Sequence, residues 1–139
     1  MTNGYWKKRL GTATLVAMWL AILSLNAQEA VTLRVLTIGN SFSEDAVEQN
    51  LYELGREAGY NLIIGNAYRG GQGLASHWTA VSQGAKVFEY RKVVDGVRTN
   101  HKEVALDSVL ADEPWDIVTL QQVSQDAGLY MTYNPYIQD

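Results

Sequence analysis

Three apolar runs in the sequence predict three buried strands. Residues 31–38 are mostly β-branched residues and leucine, which is typical of a buried strand, and the runs 61–67 and 115–122 share that character. A helical pattern lies between the first two runs, so they form a β-α-β unit, whose strands are parallel and whose crossover is right-handed. We therefore expect an α/β fold whose three core strands, near 31–38, 61–67 and 116–122, lie in the order second, first, third.

Amphipathic patterns predict the helices that cover this sheet. In 45–58 an apolar stripe recurs at helical spacing, and Gly59 is placed to end that helix. Residues 74–81 predict a short helix carrying His77. A further amphipathic helix is predicted over 102–112, its apolar side formed by Ala105, Leu106, Val109 and Leu110, with Pro114 marking its end.

Residues 86–101 predict a β-hairpin. Asp95-Gly96 is a strong signal for a tight type I′ turn between two strands. The flanking residues alternate only partly and carry mixed charges. We therefore expect the hairpin to lie at the surface, outside the core.

The N-terminus has the features of a cleavable export signal. Lys7, Lys8 and Arg9 precede the mostly apolar stretch 10–25, and a small residue, Ala27, is suited to cleavage before Gln28. An uncleaved anchor is the alternative, but the apolar stretch is shorter than the roughly 20 residues that span a bilayer. The sequence thus predicts a signal peptide at 1–27 and one domain at 28–139, secreted or periplasmic, with no stable membrane anchor after cleavage.

Composition and charge exclude several function classes. The chain has 139 residues, no cysteine and two histidines, so disulfides, a cysteine nucleophile and thiolate metal sites are excluded. Without the signal, eight basic residues would face fifteen acidic ones, a net charge of −7. Such an acidic exported protein is a poor candidate for nucleic-acid binding. No metal or cofactor site is expected.

Polar or glycine-rich loops follow all three predicted strands, at Asn40-Ser41, Gly70-Gly71 and 121–124. The carboxyl ends of parallel strands meet at one edge of a sheet, so these loops should converge. A hydroxyl, a glycine that permits close approach and amide side chains are what acyl transfer requires. The structural alternative is that Ser41 forms a capping box with Glu44, or that Ser43 is the helix N-cap.

These motifs resemble those of the SGNH/GDSL hydrolases. G-N-S-F-S at 39–43 is similar to their first block, N-A-Y-R-G-G at 66–71 to their second, and T-L-Q-Q-V-S-Q-D at 119–126 lies where their third would be. Together with H-W and Y-N-P-Y, the arrangement looks most like a poorly characterised branch from Bacteroidetes. The resemblance implies that Ser41 is the nucleophile, and that the oxyanion hole is formed by the N–H groups of Ser41 and Gly71 with the side chain of Gln122 or Ser124.

The resemblance also implies a fold, and it shows which catalytic block of the family does not occur here. SGNH hydrolases have a three-layer, flavodoxin-like parallel sheet, which here would be truncated after the third strand. Their Asp-x-x-His block, which supplies the base and its orienting acid, does not occur after Gly71. We therefore interpret the chain as the N-terminal part of a longer hydrolase, and expect this part alone to be inactive.

The function expected from the sequence is an exported serine esterase that acts on a small-molecule or carbohydrate ester, with carbohydrate deacetylation as one form of it. The rival hypothesis is a non-catalytic carbohydrate-binding module, because aromatic rings near the loops could pack on sugars: Tyr68, Trp78, Tyr130 and Tyr133. A flavodoxin-like nucleotide-binding domain is the third hypothesis, but the chain has no phosphate-binding loop.

Overall fold

The computed structural model describes residues 30–137 and contains one five-stranded sheet. Its strands are β1 (Val31–Gly39), β2 (Tyr60–Tyr68), β3 (Phe88–Val94), β4 (Val97–Val104) and β5 (Ile117–Leu120), in the order β4-β3-β2-β1-β5. The predicted signal peptide at 1–27 lies outside the described residues. Within 30–137, no helix combines the length and the apolar character needed to cross a membrane.

The three predicted core strands pair as expected. β1 runs parallel to β2, with Val31 opposite Tyr60 and Gly39 opposite Tyr68. β1 also runs parallel to β5, with Val35 opposite Ile117. The predicted parallel arrangement in the order second, first, third is therefore confirmed for these strands.

The predicted fold class is wrong, because the sheet is mixed rather than parallel. β3 pairs antiparallel with β2, and β4 pairs antiparallel with β3. The sheet is thus neither the flavodoxin-like parallel sheet of a three-layer fold nor limited to three strands. The sequence between the predicted second and third strands supplies two more, so the chain does not fit a parallel fold cut after its third strand.

The prediction that the hairpin lies outside the core is also wrong. Phe88, Tyr90 and Val93 of β3 are buried. The mixed charges of this segment suggested a surface position, but its charged residues are paired within the fold. Arg91 is buried and contacts the carboxylates of Glu44, Glu48 and Glu89. Buried charges in proteins are generally paired and hydrogen-bonded, as Arg91 is here.

Helices are shorter than the apolar patterns indicated. In place of the predicted helix 45–58 there are a π-helix at Glu44–Glu48 and α1 at Leu51–Glu57, and a single helical turn at Ser41–Ser43 precedes them. α2 spans Leu74–Ser82, close to its prediction. α3 spans only Leu106–Leu110, because β4 continues to Val104, and a 3₁₀ turn follows at Tyr130–Tyr133.

Apolar residues pack on both faces of the sheet. Leu36 and Ile38 of β1 belong to a cluster with Ala80 of α2 and Val109 of α3. Successive side chains of a strand point to opposite faces, and the residues on the other face form a second cluster. It contains Leu62, Ile64 and Val93 and packs against α1 and the π-helix. Both faces of β1 and β2, which carry two of the three loops, are therefore packed.

β5 differs from the buried strand that was predicted. Ile117, Val118 and Leu120 are each about half exposed, and among the described residues β5 pairs only with β1. The apolar run correctly predicted a strand, but its burial was wrong for this part of the chain.

Candidate functional site

Asn40 joins the three loops that follow β1, β2 and β5. Its buried side-chain amide donates hydrogen bonds to the carbonyl oxygens of Gln72, at 2.9 Å, and Gln122, at 3.3 Å. Its side-chain oxygen accepts a hydrogen bond from the N–H of Phe42 at 3.2 Å. The loops at Ser41, Gly71 and Gln122 therefore lie at the same end of the sheet.

Ser41 and Ser43 have different surroundings. Ser43 is buried, and its Oγ lies 2.6 Å from the carbonyl oxygen of Asn40 and 3.1 Å from Oδ1 of Asn66. Ser41 is exposed, and no residue of the part described, 30–137, forms a hydrogen bond with its Oγ. The helical turn is capped by Asn40 rather than by either serine, so Ser41 is left available for chemistry.

A buried ionic cluster fixes the backbone beside Ser43. The Asn66 amide donates a 2.5 Å hydrogen bond to Oε1 of Glu48, which directs the other side of that amide to Ser43. Glu48, whose side chain is only 1% exposed, also forms ion pairs with Arg91 and Arg98. This cluster anchors the π-helix and so restrains the turn that carries Ser41.

Gly71 has the backbone conformation that favours glycine. Its φ is +66°, and a Cβ added there would meet nothing within 4 Å. Within residues 30–137 no protein acceptor bonds to the N–H of Gly71 or to that of Ser41. Both groups therefore keep a donor for an oxygen brought by a ligand.

The side chain of Gln122 connects the start of α2 to the 3₁₀ turn. Its Oε1 accepts from the N–H groups of Leu74 and Val123, both at 3.0 Å. Its Nε2 donates to the carbonyl oxygen and the hydroxyl of Thr132 at 3.1 and 3.2 Å. Both amide hydrogens are committed, whereas the exposed Ser124 has only a 3.4 Å contact with Gln125.

Replacing Gln122 by leucine should lower the free energy of unfolding by about 1–3 kcal/mol, because the buried N–H of Leu74 loses its acceptor. Urea denaturation measures the change. Gln125→Leu, at an exposed neighbouring glutamine, is the control and should change stability by no more than about 0.5 kcal/mol. Equal stability of the Gln122 variant and the wild type would show that its amide is not a structural tie.

Neither histidine is placed to act as the base. His77 on α2 is 4% exposed and stacks on Phe88 with ring centroids 5.6 Å apart, and its two ring nitrogens have no hydrogen-bond partner among the described residues. His101 is exposed on β4. His77 thus belongs to the packed interior.

Burial, and to a smaller degree the charge of Arg69, lower the pKa of His77 to about 4. The unfolded chain binds this proton near pH 6.5, so the stabilisation is complete above that pH and is lost as the pH falls toward 4. We expect this group alone to reduce the free energy of unfolding by about 2–3 kcal/mol between pH 7 and pH 4.

Urea denaturation of the wild type and of His77→Leu at both pH values isolates this contribution, because the other titrating groups are common to both proteins. As the pH falls from 7 to 4, the wild type should lose about 2–3 kcal/mol more stability than His77→Leu. Parallel pH dependence would contradict the buried, neutral state of His77.

A cleft of about 350 Å³ lies beside the Gln122 side chain. Its walls come from the start of α2, the loop after β5 and the segment around the 3₁₀ turn, and they include Gly73, Ser76, Gln122, Val123, Asp126, Met131, Thr132, Asn134 and Tyr136. Gly73 is required there, since a Cβ would lie 2.1 Å from Oε1 of Gln122. Residues 30–137 contain no cluster of three potential metal ligands.

The aromatic residues suggested for sugar packing do not line this cleft. The ring of Tyr68 lies 3.8 Å from the Arg91 guanidinium carbon, and the Tyr133 hydroxyl donates to the carbonyl oxygen of Ala127. Trp78 and Tyr130 are exposed but are not among the lining residues. Sequence reasoning missed Asp126, Asn134 and Tyr136; the only signal was the polar character of 123–128 and the Y-N-P-Y motif.

Comparison with known proteins gives a family but no activity. The profile of DUF4886, described as a domain of unknown function, matches residues 34–138. A crystal structure of a DUF4886 family protein from Bacteroides uniformis ATCC 8492 is similar, with 44% sequence identity and a TM-score of 0.73. The match covers 76% of this chain and 41% of that one, so the chain spans about two fifths of its relative. No curated protein matches.

Proposed function

The chain belongs to the DUF4886 family, and we propose that it contributes the nucleophile and oxyanion hole of an exported serine esterase of the SGNH type of chemistry, carried on a mixed sheet. The observation that supports this most strongly is the Asn40 side chain, which ties the Ser41 turn to the Gly71 and Gln122 loops. The exposed hydroxyl and two unpaired N–H groups at one sheet end suit acyl transfer.

In the proposed reaction, Ser41 Oγ attacks the ester carbonyl and its proton passes to a base. The carbonyl oxygen becomes an oxyanion that accepts hydrogen bonds from the N–H groups of Ser41 and Gly71, with Ser124 as the remaining side-chain candidate. The C–O bond then breaks, and the alcohol leaves with the proton. Water attacks the acyl-serine, releases the acid and restores Ser41.

We assign the base to the portion of the relative that this chain does not match. His77 is stacked in the interior and His101 lies on the hairpin, so neither is suited to deprotonate Ser41. A serine hydroxyl is a weak nucleophile without an adjacent base. The chain alone should therefore turn over ester only at a residual rate. Export, with cleavage before Gln28, remains a prediction from the sequence.

Aryl acetate hydrolysis tests the proposal with two proteins: this chain, and a hybrid in which the matched portion of the Bacteroides uniformis relative is replaced by this chain. The hybrid should hydrolyse the ester and the chain alone should not. Comparable turnover by both would place the base within the chain. A folded hybrid with no turnover of any acyl ester would contradict the esterase.

A further inference from the structure

We infer that the cleft beside Gln122 binds one neutral sugar unit, and that Asp126 makes it select neutral over anionic ligands. The sugar would be the alcohol part of the ester, and this assignment rests on the proposed esterase function. Sugar binding itself can be measured separately.

The cleft is next to the Ser41 turn. Asn40 donates to the carbonyl oxygens of Gln72 and Gln122, and Gln122 itself lines the cleft, as does Gly73, which follows Gln72. Gln122 therefore borders the cleft and also accepts a hydrogen bond from Asn40, the residue that precedes Ser41. This placement suits a part of the substrate that does not itself react.

The walls of the cleft are fixed before a ligand arrives. The Gln122 amide bonds to the N–H of Leu74 on one wall and to Thr132 on the other. The Thr132 hydroxyl also donates toward the carbonyl oxygens of Asp126 and Leu129 at 2.9 and 2.7 Å. A preformed site avoids part of the entropy cost of ordering its walls on binding.

Three polar side chains that line the cleft lack a protein partner among the described residues. Within residues 30–137, neither the Asp126 carboxylate nor the Asn134 amide nor the Tyr136 hydroxyl forms a side-chain hydrogen bond. They offer acceptors from the carboxylate, and both donors and acceptors from the amide and the phenol. Adjacent hydroxyl groups, each able to donate and accept, match this set.

The remaining lining favours a ring with apolar edges and no negative charge. Ala75, Val123 and Met131 provide apolar contacts, and no lysine or arginine is among the lining residues. Arg69 lies along a neighbouring cleft, where its Nη1 donates to the carbonyl oxygen of Ser76. An anionic ligand would therefore meet the Asp126 carboxylate without a cation in the cleft to offset it.

The volume also limits the ligand. About 350 Å³ is near the lower end of the roughly 300–1,000 Å³ that is usual for small-molecule sites. One sugar ring is suited to that space, whereas a longer oligosaccharide would extend beyond it.

Amide chemical-shift titration of the full chain tests the inference with two matched probes, methyl β-glucopyranoside and methyl β-glucuronide. The glucoside should shift the amides of the lining residues with a measurable Kd, and the glucuronide should bind about tenfold or more weakly. Asp126→Asn should reduce this difference to about twofold or less. Asn134→Asp, which adds a second negative charge, should increase it.

Asp107→Asn, at an exposed carboxylate of α3, is the control and should leave the preference unchanged. A glucoside that shifts no cleft amide, equal binding of the two probes by wild type, or an unchanged preference in Asp126→Asn would each overturn the inference. If the glucoside binds as expected but the hybrid shows no Ser41-dependent turnover, only the esterase fails. If turnover is present without binding in the cleft, only the sugar site fails.

Discussion

Replacement of Ser41 by alanine is expected to lower aryl acetate turnover by the hybrid by at least about 10⁴-fold. The substitution removes the only atom that we assign to the attack, while leaving the backbone N–H groups of Ser41 and Gly71 in place. The residual rate should therefore reflect binding and the oxyanion hole alone. Initial rates under saturating ester, with wild type and variant at equal concentration, measure the loss.

Two serine controls separate chemistry from folding. Ser82→Ala removes a hydroxyl from the exposed end of α2, where it bonds to the carbonyl oxygen of Trp78, and should leave turnover within about twofold. Ser43→Ala should lower stability by about 1–3 kcal/mol, because the buried Asn66 amide loses a partner. If Ser41→Ala kept full turnover while folded like the wild type, Ser41 would not be the nucleophile.

Phe88→Ala is expected to lower the free energy of unfolding by about 3–5 kcal/mol. Phe88 is 1% exposed at the start of β3, stacks on His77 and lies under the guanidinium of Arg69 at 5.5 Å. Truncation removes these contacts and leaves a cavity between the sheet and α2. The size of the loss distinguishes a core strand from a surface hairpin, which should lose far less.

Val87→Ala, at the adjacent residue, which is about half exposed, is the matched control and should cost no more than about 1 kcal/mol. Urea denaturation of the two variants and the wild type gives both values. Similar, small losses at Phe88 and Val87 would mean that β3 is not part of the core and that the mixed sheet is wrong.

The sequence was informative where one element could be interpreted by itself. The apolar run 31–38 and the helical stripe after it were enough to predict the parallel pairing of β1 with β2, because a β-α-β unit has one favoured hand. β3 was misinterpreted because Arg91 and Lys92 look like surface residues. Arg91 is buried and Lys92 is half-buried because they pair with the carboxylates of Glu48 and Glu113, which are distant in sequence, and no local pattern contains that information.

The candidate site also has parts that the sequence predicts and parts that depend on the fold. Strand ends and their loops could be predicted, which placed Ser41, Gly71 and Gln122 at one end of the sheet. The role of the Gln122 amide could not be predicted, because its partners Leu74 and Thr132 are brought next to it only by the fold. Asp126, Asn134 and Tyr136 come together in a cleft for the same reason, although each lies in a loop that looks merely polar.

Mass-spectrometric mapping of a covalent adduct tests the central claim most directly. The hybrid would be treated with an aryl fluorophosphonate, digested, and searched for a phosphonylated serine among the peptides that cover 31–137. We expect a single modified residue, Ser41, with labelling abolished in Ser41→Ala and preserved in Ser82→Ala. An active hybrid that is modified at another serine such as Ser124, or that is inactivated without any label on Ser41, would contradict the account.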